Sequence, residues 1–303
     1  MNLAIAVDLS VESHFAVRWA LDLRDRARDR GESVTCHAIH VPSPSAPFAI
    51  QNFTGFGRAD EEPGLHRQMV HQVRDFLESV SPDVDDVEIV VQDGDAPKII
   101  SKFCIAHQVD WLVTGMSTIG PVGRFFLGST VHKLADRAPC RLAVVHPEHA
   151  SLEGPVDLVV GVDFLPGSEA ALFAAAELAN HTDGHLCLLH ALQDAPTGSV
   201  HGGLTTYLST SDSANLTLAS RRALHRMMDE VVQLYPDVTY DVFVDTGGAR
   251  QVLSDAVTRR NSDILLLGKV RHPTIERLAL GSVSRQILKR MPTTLVFAPP
   301  EVR

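Results

Sequence analysis

Residues 3–7 form a short unbroken apolar run, and from Phe15 the pattern changes to helical spacing through Ala16, Trp19, Ala20 and Leu23. An unbroken run suits a strand buried on both faces, and steps of three and four suit a helix with one apolar face. The alternation continues along the chain. Residues 34–41 are strand-like, and Met69, Val70, Val73, Phe76, Leu77 and Val80 mark a strongly amphipathic helix. A third strand at 87–91 leads into a helix from about Pro97, with Ile99, Ile100 and Phe103 facing inward. Proline suits a first helical turn, where its missing N–H costs nothing. A fourth strand at 110–114, a helix over Ser129–Ala138 and a fifth strand at 141–145 complete the series. The order βαβαβαβαβ demands a mostly parallel sheet with helices on both faces.

The same unit is written twice. "IAVDLS" around Asp8 returns as "VGVDFL" around Asp163, "DWLVTG" as "DILLLG", and "LGST" as "LGSV". The offset is 155 at the two aspartates, 150 at His40 and His190, and 153 at every later landmark, as loop insertions in a duplicated unit would produce. Second-copy strands are predicted at 157–162, 185–191, 239–244, 263–267 and 294–298, with a long helix over Leu216–Leu234. The polar junction 146–157 reads as a linker, giving two domains, 1–148 and 155–303. Long polar loops at 42–62 and 193–213 follow the second strand of each copy, a place where such length tends to be functional. The apolar last strands, 141–145 and 294–298, can pair across the two copies and mimic a homodimer within one chain.

Composition narrows the possibilities. Apolar residues make up 45% and charged residues 21%, which describes a globular chain with a real core. A net charge of −10 argues against non-specific binding to nucleic acid or anionic membrane, because both need a positive footprint. No apolar run approaches the ~20 residues that cross a bilayer. Nor does "MNLAIAVDLS" resemble a signal peptide, so a cytoplasmic location is the default expectation. Cys36, Cys104, Cys140 and Cys187 are scattered without a CxxC pair, and three of them sit inside apolar runs, where a buried, inert thiol is the reading.

In a parallel α/β sheet, ligands bind beyond the carboxyl ends of the strands, where strand order reverses. Asp8, the His40–Val41 edge and the loop from Gly115 would share that crevice. The loop "GMSTIGPVGRFFLGST" can bring bare backbone up to a ligand. Gly128, Ser129 and Thr130 open a helix whose free N–H groups favour an anion. Asp8 suits ribose hydroxyls better than phosphate. The alternative is that Ser129 is simply a helix N-cap and the glycines serve turns.

This order of features resembles the universal stress protein family, whose nucleotide-binding members carry Gly, two residues, Gly, nine residues, Gly, then Ser or Thr. Gly115, Thr118, Gly128 and Ser129 fit that frame, as do Gly268, Arg271, Gly281 and Ser282, so the resemblance covers nearly the whole chain twice. It implies two Rossmann-like domains of the adenine nucleotide alpha hydrolase type, each a five-stranded mostly parallel sheet. It also implies ATP or another adenine nucleotide as ligand, with or without Mg. Carried over, Asp8 meets the ribose and Val41 the adenine, while Gly115, Ser117, Thr118, Gly128, Ser129 and Thr130 line the phosphates. The second set would be Asp163, Gly268, Arg271, Gly281, Ser282 and Val283. Both copies depart at the second glycine. Thr118 leaves a loop still supplied with Gly120 and Gly123. Arg271 either fills the phosphate space or, with Lys269, grips an anion by charge. The first copy is therefore expected to bind nucleotide and the second to be degenerate.

Several other signals point to no chemistry. His37 and His40 lie three apart on a strand and face opposite sides, which is wrong for shared metal ligation. His146 and His149 flank the junction with no convincing carboxylate. His40 and His190 end equivalent strands, which suggests a shared structural role. Arg285, Lys289 and Arg290 read as a solvated basic face. No GxxxxGK[ST] loop, nucleophile–base pair or paired carboxylate stands out, so at most slow ATP hydrolysis is expected. The sequence reads as a stress-response protein with a nucleotide ligand, no nucleic-acid partner and no membrane insertion, as an internal pseudo-dimer or a further homodimer. The competing reading is a nucleotide-independent interaction protein or a carrier of an anionic or lipid-like small ligand. A hydrolase using water at Asp8 is a third.

Overall fold

A computed structural model describes residues 1–42, 63–116, 128–192, 210–272, 277–289 and 293–300. The first copy contributes β1 (Asn2–Val7), α1 (Val11–Asp29), β2 (Thr35–His40), α2 (Pro63–Val80) and β3 (Val87–Val91). It continues with α3 (Ala96–Ala106), β4 (Trp111–Gly115), α4 (Ser129–Arg137) and β5 (Arg141–Val145). The second contributes β6 (Asp157–Gly161), α5 (Pro166–Thr182), β7 (His185–Leu192), α6 (Thr210–Leu234) and β8 (Thr239–Thr246). It ends with α7 (Ala249–Arg260), β9 (Ile264–His272), β10 (Arg277–Leu280), α8 (Ser282–Leu288) and β11 (Thr294–Ala298). The loops at 43–62 and 193–209, and Ser117 and Thr118 with Gly120 and Gly123, lie outside the described residues.

One sheet runs through both copies in the order β3-β2-β1-β4-β5-β11-β9-β6-β7-β8. Within each copy the neighbours are parallel. The last strands join the copies as the pattern anticipates: β5 and β11 pair antiparallel, with Leu295 opposite Val144 and Phe297 opposite Leu142. The strands of the two copies therefore run in opposite directions, and their carboxyl ends lie at opposite edges of the sheet.

Residue alternation explains why both faces are covered. Leu3, Ile5 and Val7, with Trp111, Val113, Leu158, Val160, Ile264 and Leu266, pack against α1, α2, α5 and α6. Ala4, Leu112, Leu142, Val144, Val159, Leu265 and Leu267 face the other way, toward α3, α4, α7 and α8. An aspartate opens the fourth strand's approach in each copy: Asp110 accepts the Asn2 N–H at 2.6 Å, and Asp263 accepts the Asp157 N–H at 2.9 Å.

The two copies meet through more than the ladder. Glu177 of α5 accepts from Trp111 Nε1 at 2.9 Å and from Arg141 Nη1 at 2.7 Å. His181 Nε2 pairs with Glu32 at 2.7 Å, and Arg30 with Asp183 at 2.6 Å. The junction is not a loose polar linker. Leu152 and Val156 are buried, the Leu152 N–H donates to Asp22 at 2.9 Å, and His149 Nδ1 meets Asp263 at 3.1 Å. That last contact supplies the carboxylate partner that sequence spacing hides, 114 residues away. Arg285 likewise belongs to the contact between copies: its Nη2 donates to Asp136 at 3.1 Å. No described helix is long and apolar enough to cross a membrane.

Candidate functional site

β1 lies between β2 and β4, with Val7 opposite His40 and Ala6 opposite Thr114. Asp8, Val41 and Gly115 thus sit at three adjacent strand ends, at the point where the order turns from β2 on one side of β1 to β4 on the other. Two turns of backbone aim Asp8. Leu9 takes φ 61°, and Ser10 then caps α1, its Oγ accepting the Ser13 N–H at 3.3 Å. A left-handed non-glycine residue costs about 1–2 kcal/mol, and the second copy repeats it at Phe164, φ 60°.

The Asp8 carboxylate is the most elaborated group at this edge. Its Oδ1 accepts from Ser10 N at 3.0 Å, Ser10 Oγ at 2.5 Å and Ser13 Oγ at 2.6 Å. Among the described residues no donor falls on Oδ2. Burial pushes the carboxyl up, but the Ser10 and Ser13 hydrogen bonds outweigh it and hold Asp8 below its ordinary 3.8. A carboxyl with a depressed folded pKa stabilises above its unfolded value and loses that contribution as pH falls through the folded one. Asp8→Asn is therefore expected to destabilise near neutral pH and to converge with wild type below pH 3.8, which acid unfolding curves would show. Ser10 and Ser13 could have been suspected from "DLSVES", an Asp followed by serines two and five places on.

Asp163 is a weaker version. The residue matching Ser10 is Leu165, so among the described residues only a backbone N–H reaches the Asp163 carboxylate, at 3.0 Å. His40 and His190 share a structural task, as their positions suggest. Nδ1 of His40 meets the Val7 carbonyl at 2.8 Å, and Nδ1 of His190 meets that of Val162 at 2.7 Å. Donation to a carbonyl fixes the Nδ1–H form of each ring. In the second copy the Phe164 ring also lies on His190, with centroids 4.6 Å apart.

The glycines divide into two kinds. A Cβ on Gly115 would fall 2.3 Å from the Glu12 carbonyl oxygen, and one on Gly268 only 2.1 Å from the Gly167 carbonyl carbon. Both are bare because the first turn of α1 or α5 presses on the strand end, whatever ligand is present. Gly128 and Gly281, by contrast, are the N-caps of α4 and α8, and neither makes a side-chain cap. Ser129 is consequently the first helical residue rather than the cap, and it and Thr130 stand at the open start of α4.

The second copy departs sharply from the expected cradle. β9 does not stop at 267 but runs on to His272 and turns back into β10, with Val270 opposite Ala279 and Arg271 opposite Leu278. The stretch that would wrap phosphates in the family frame is spent on a hairpin. Lys269 cannot grip an anion at the surface: it is fully buried, and its Nζ donates to the Ala138 carbonyl of the first copy at 2.9 Å. Arg271 is exposed on the hairpin. Ser282 and Val283 begin α8, which is only 7 residues long. Among the described residues no three His, Cys, Asp or Glu side chains are grouped to hold a metal ion.

Two copies of a five-stranded parallel unit, each with Asp past its first strand and Gly–Ser opening the helix past its fourth, define a tandem protein of Rossmann-like design. The chain belongs to the universal stress protein family, whose profile matches residues 1–146 and 157–299. It is 27% identical over 304 residues to a universal stress protein of Mycobacterium tuberculosis, covering 98% of this chain and 96% of the relative. A Mycolicibacterium smegmatis universal stress protein is 26% identical over 308 residues, covering 99% and 97%. Its fold is similar to that of a universal stress protein from Archaeoglobus fulgidus, with TM-score 0.64 at 12% identity, over 99% of this chain and 98% of that one.

Proposed function

We propose that this protein binds one adenine nucleotide, ATP or a relative of it, in its first copy, and that the second copy serves as a structural partner. The contrast between equivalent edges carries the reading. At the first, three donors hold Asp8 ionised at the strand edge where the uncapped start of α4 also lies. At the second, the corresponding backbone is drawn into the β9–β10 hairpin. Asp8 Oδ2 would accept ribose hydroxyls, Val41 would pack on the base, and the N–H groups around Gly128–Thr130 would face phosphate, with any Mg carried by the nucleotide. The proposed role is that of a cytoplasmic stress-response protein that senses or stores nucleotide. The boundary between the two functional units falls within 149–154.

Calorimetry with ATP, with and without Mg, tests this. One nucleotide per chain is expected, weakened at least about tenfold by Asp8→Ala, or ~1.4 kcal/mol, and unchanged by Asp163→Ala. Arg271→Gly should create no second site, because backbone pairing rather than the side chain occupies the frame. Two nucleotides per chain would overturn the assignment to the first copy.

One observation favours the carrier alternative. A cavity of about 440 Å³ opens between α5 and α6, its lining including Phe164, Leu165, Phe173 and Met227 together with Arg226, Glu169 and Glu230. Native mass spectrometry distinguishes the readings: a co-purifying lipid-like molecule in place of nucleotide would favour it.

A further inference from the structure

Strands of the two copies run in opposite directions, so the carboxyl edge of the second copy is the amino edge of the first. Helix α4 spans from one of these edges to the other. It starts at Ser129, at the edge that holds Asp8, and ends at its C-cap Ala138, at the edge where β9 runs on into its hairpin with β10. Its 9 residues make a rod about 14 Å long.

The second copy grips the far end of that rod. Lys269 Nζ donates to the Ala138 carbonyl at 2.9 Å. The Leu280 N–H and Arg285 Nη2 both donate to Asp136 Oδ1, at 3.2 Å and 3.1 Å. Arg285 Nε also donates to the Leu280 carbonyl at 3.0 Å, which ties α8 to the hairpin. Leu280 stands opposite Lys269 in the β9–β10 ladder, so the hairpin itself brings the ammonium and the N–H to one helix turn. Leu134, Ala135 and Leu280 are buried in one apolar cluster. A cation suits the negative end of a helix, whereas an aspartate in the last turn does not. The two donors on Asp136 offset that misplacement.

The duplication supplies an internal control. At the constant offset of 153, the residues matching Lys269 and Asp136 are Met116 and Lys289. Met116 is 1% exposed and Lys269 0%, so the same place is filled once without a charge, and packing alone does not require the lysine. Met116 and Lys289 cannot reproduce the grip on α8. A thioether has no hydrogen to donate, and the carboxylate has become an ammonium. Burying an ammonium is costly; burial pulls Lys269 down to about 8, which still leaves it charged at neutral pH. The hold is one-sided, from the second copy onto the helix that starts beside the Asp8 edge.

We propose that Lys269 is a positioning residue for nucleotide binding: with Leu280 and Arg285 it fixes the last turn of α4, and so aims the N–H groups around Gly128–Thr130 at the phosphates. This inference rests on the nucleotide reading above and adds to it a task for the β9–β10 hairpin. The strand extension that uses up the second phosphate frame is the one that supports the first. Lys269 itself touches no part of the nucleotide. The base and ribose contacts follow β2 and β1 and do not involve α4. Loss of the hold therefore acts on phosphate binding and spares the nucleoside.

The test is calorimetric titration of the intact chain and its variants with ATP, and with adenosine measured by displacement of ATP. Wild type is expected to bind both. Lys269→Met, the residue of the other copy, should keep or raise the melting temperature. It should weaken ATP about tenfold and leave adenosine within about twofold. Arg285→Ala, which removes one donor from Asp136, should weaken ATP about threefold and spare adenosine. A purely structural role would weaken both ligands alike, with no split between them. Equal loss of both ligands, or full ATP affinity in folded Lys269→Met, overturns this inference alone. Wild type that binds neither ligand overturns the nucleotide reading and this inference with it. Should Lys269→Met fail to fold, the split between ATP and adenosine in Arg285→Ala decides.

Discussion

Glu177→Ala is expected to destabilise the protein by about 3–5 kcal/mol, among the largest effects of any single side-chain truncation. Glu177 lies on α5 of the second copy, but both of its partners belong to the first. Its two oxygens receive Trp111 Nε1 and Arg141 Nη1, and the Arg141 guanidinium lies 5.3 Å from the Trp111 ring centroid. The Arg141 side chain is 5% exposed and that of Glu177 18%, so solvent cannot replace the lost carboxylate. What remains is an unpaired buried cation and an unpaired indole N–H, in the middle of the surface that joins the copies. Urea unfolding measures the cost. Glu177→Gln keeps an acceptor for Trp111 but removes the charge, and should fall between. The double change Glu177→Leu with Arg141→Met should recover most of the loss, since a buried ion pair is often no better than an apolar substitute. A single-variant loss below about 1 kcal/mol, the range of exposed pairs, would sink this account.

Gly268→Ala separates packing from ligand binding. Its Cβ would lie 2.1 Å from the carbonyl carbon of Gly167 and 2.4 Å from its oxygen, and neither side of the contact is a flexible side chain. The first turn of α5 would have to lift off the strand, at about 3 kcal/mol, the upper range for overpacking. Gly115→Ala should behave alike, because the Glu12 carbonyl stands 2.3 Å from its Cβ position. Gly281→Ala, with nothing within 4 Å, is the control and should change stability by less than about 1 kcal/mol. Thermal unfolding of the three variants gives the answer. A glycine kept bare only for a phosphate would lose nucleotide affinity with its melting temperature intact, and that outcome at Gly268 would refute the packing argument.

Much of the architecture was legible in residue order. The strands at 87–91, 141–145 and 294–298 fall where the apolar runs place them, since a strand buried on both faces leaves an unbroken signal. The repeat offset predicted two like copies, and the apolar last strands predicted their pairing. The second copy was expected to be degenerate, but the form its loop takes was hidden for a physical reason. Gly268 looks like a phosphate glycine, and nothing local shows that a helix turn has taken its Cβ space or that residues 269–272 continue as strand. Strand continuation there depends on β10 returning as a partner. Helix α6 likewise begins at Thr210, before the periodic apolar residues start.

The sequence by itself determined the tandem α/β plan, the register of the two copies and the residues offered at each carboxyl edge, because periodicity and duplication are properties of residue order. Only the tertiary structure decided which groups meet. Antiparallel docking of the copies carried Lys269 away from its own edge to the Ala138 carbonyl of the other copy. It also set Glu177 against Arg141. Such contacts depend on how far and in which direction one copy is turned against the other, and no local pattern records that.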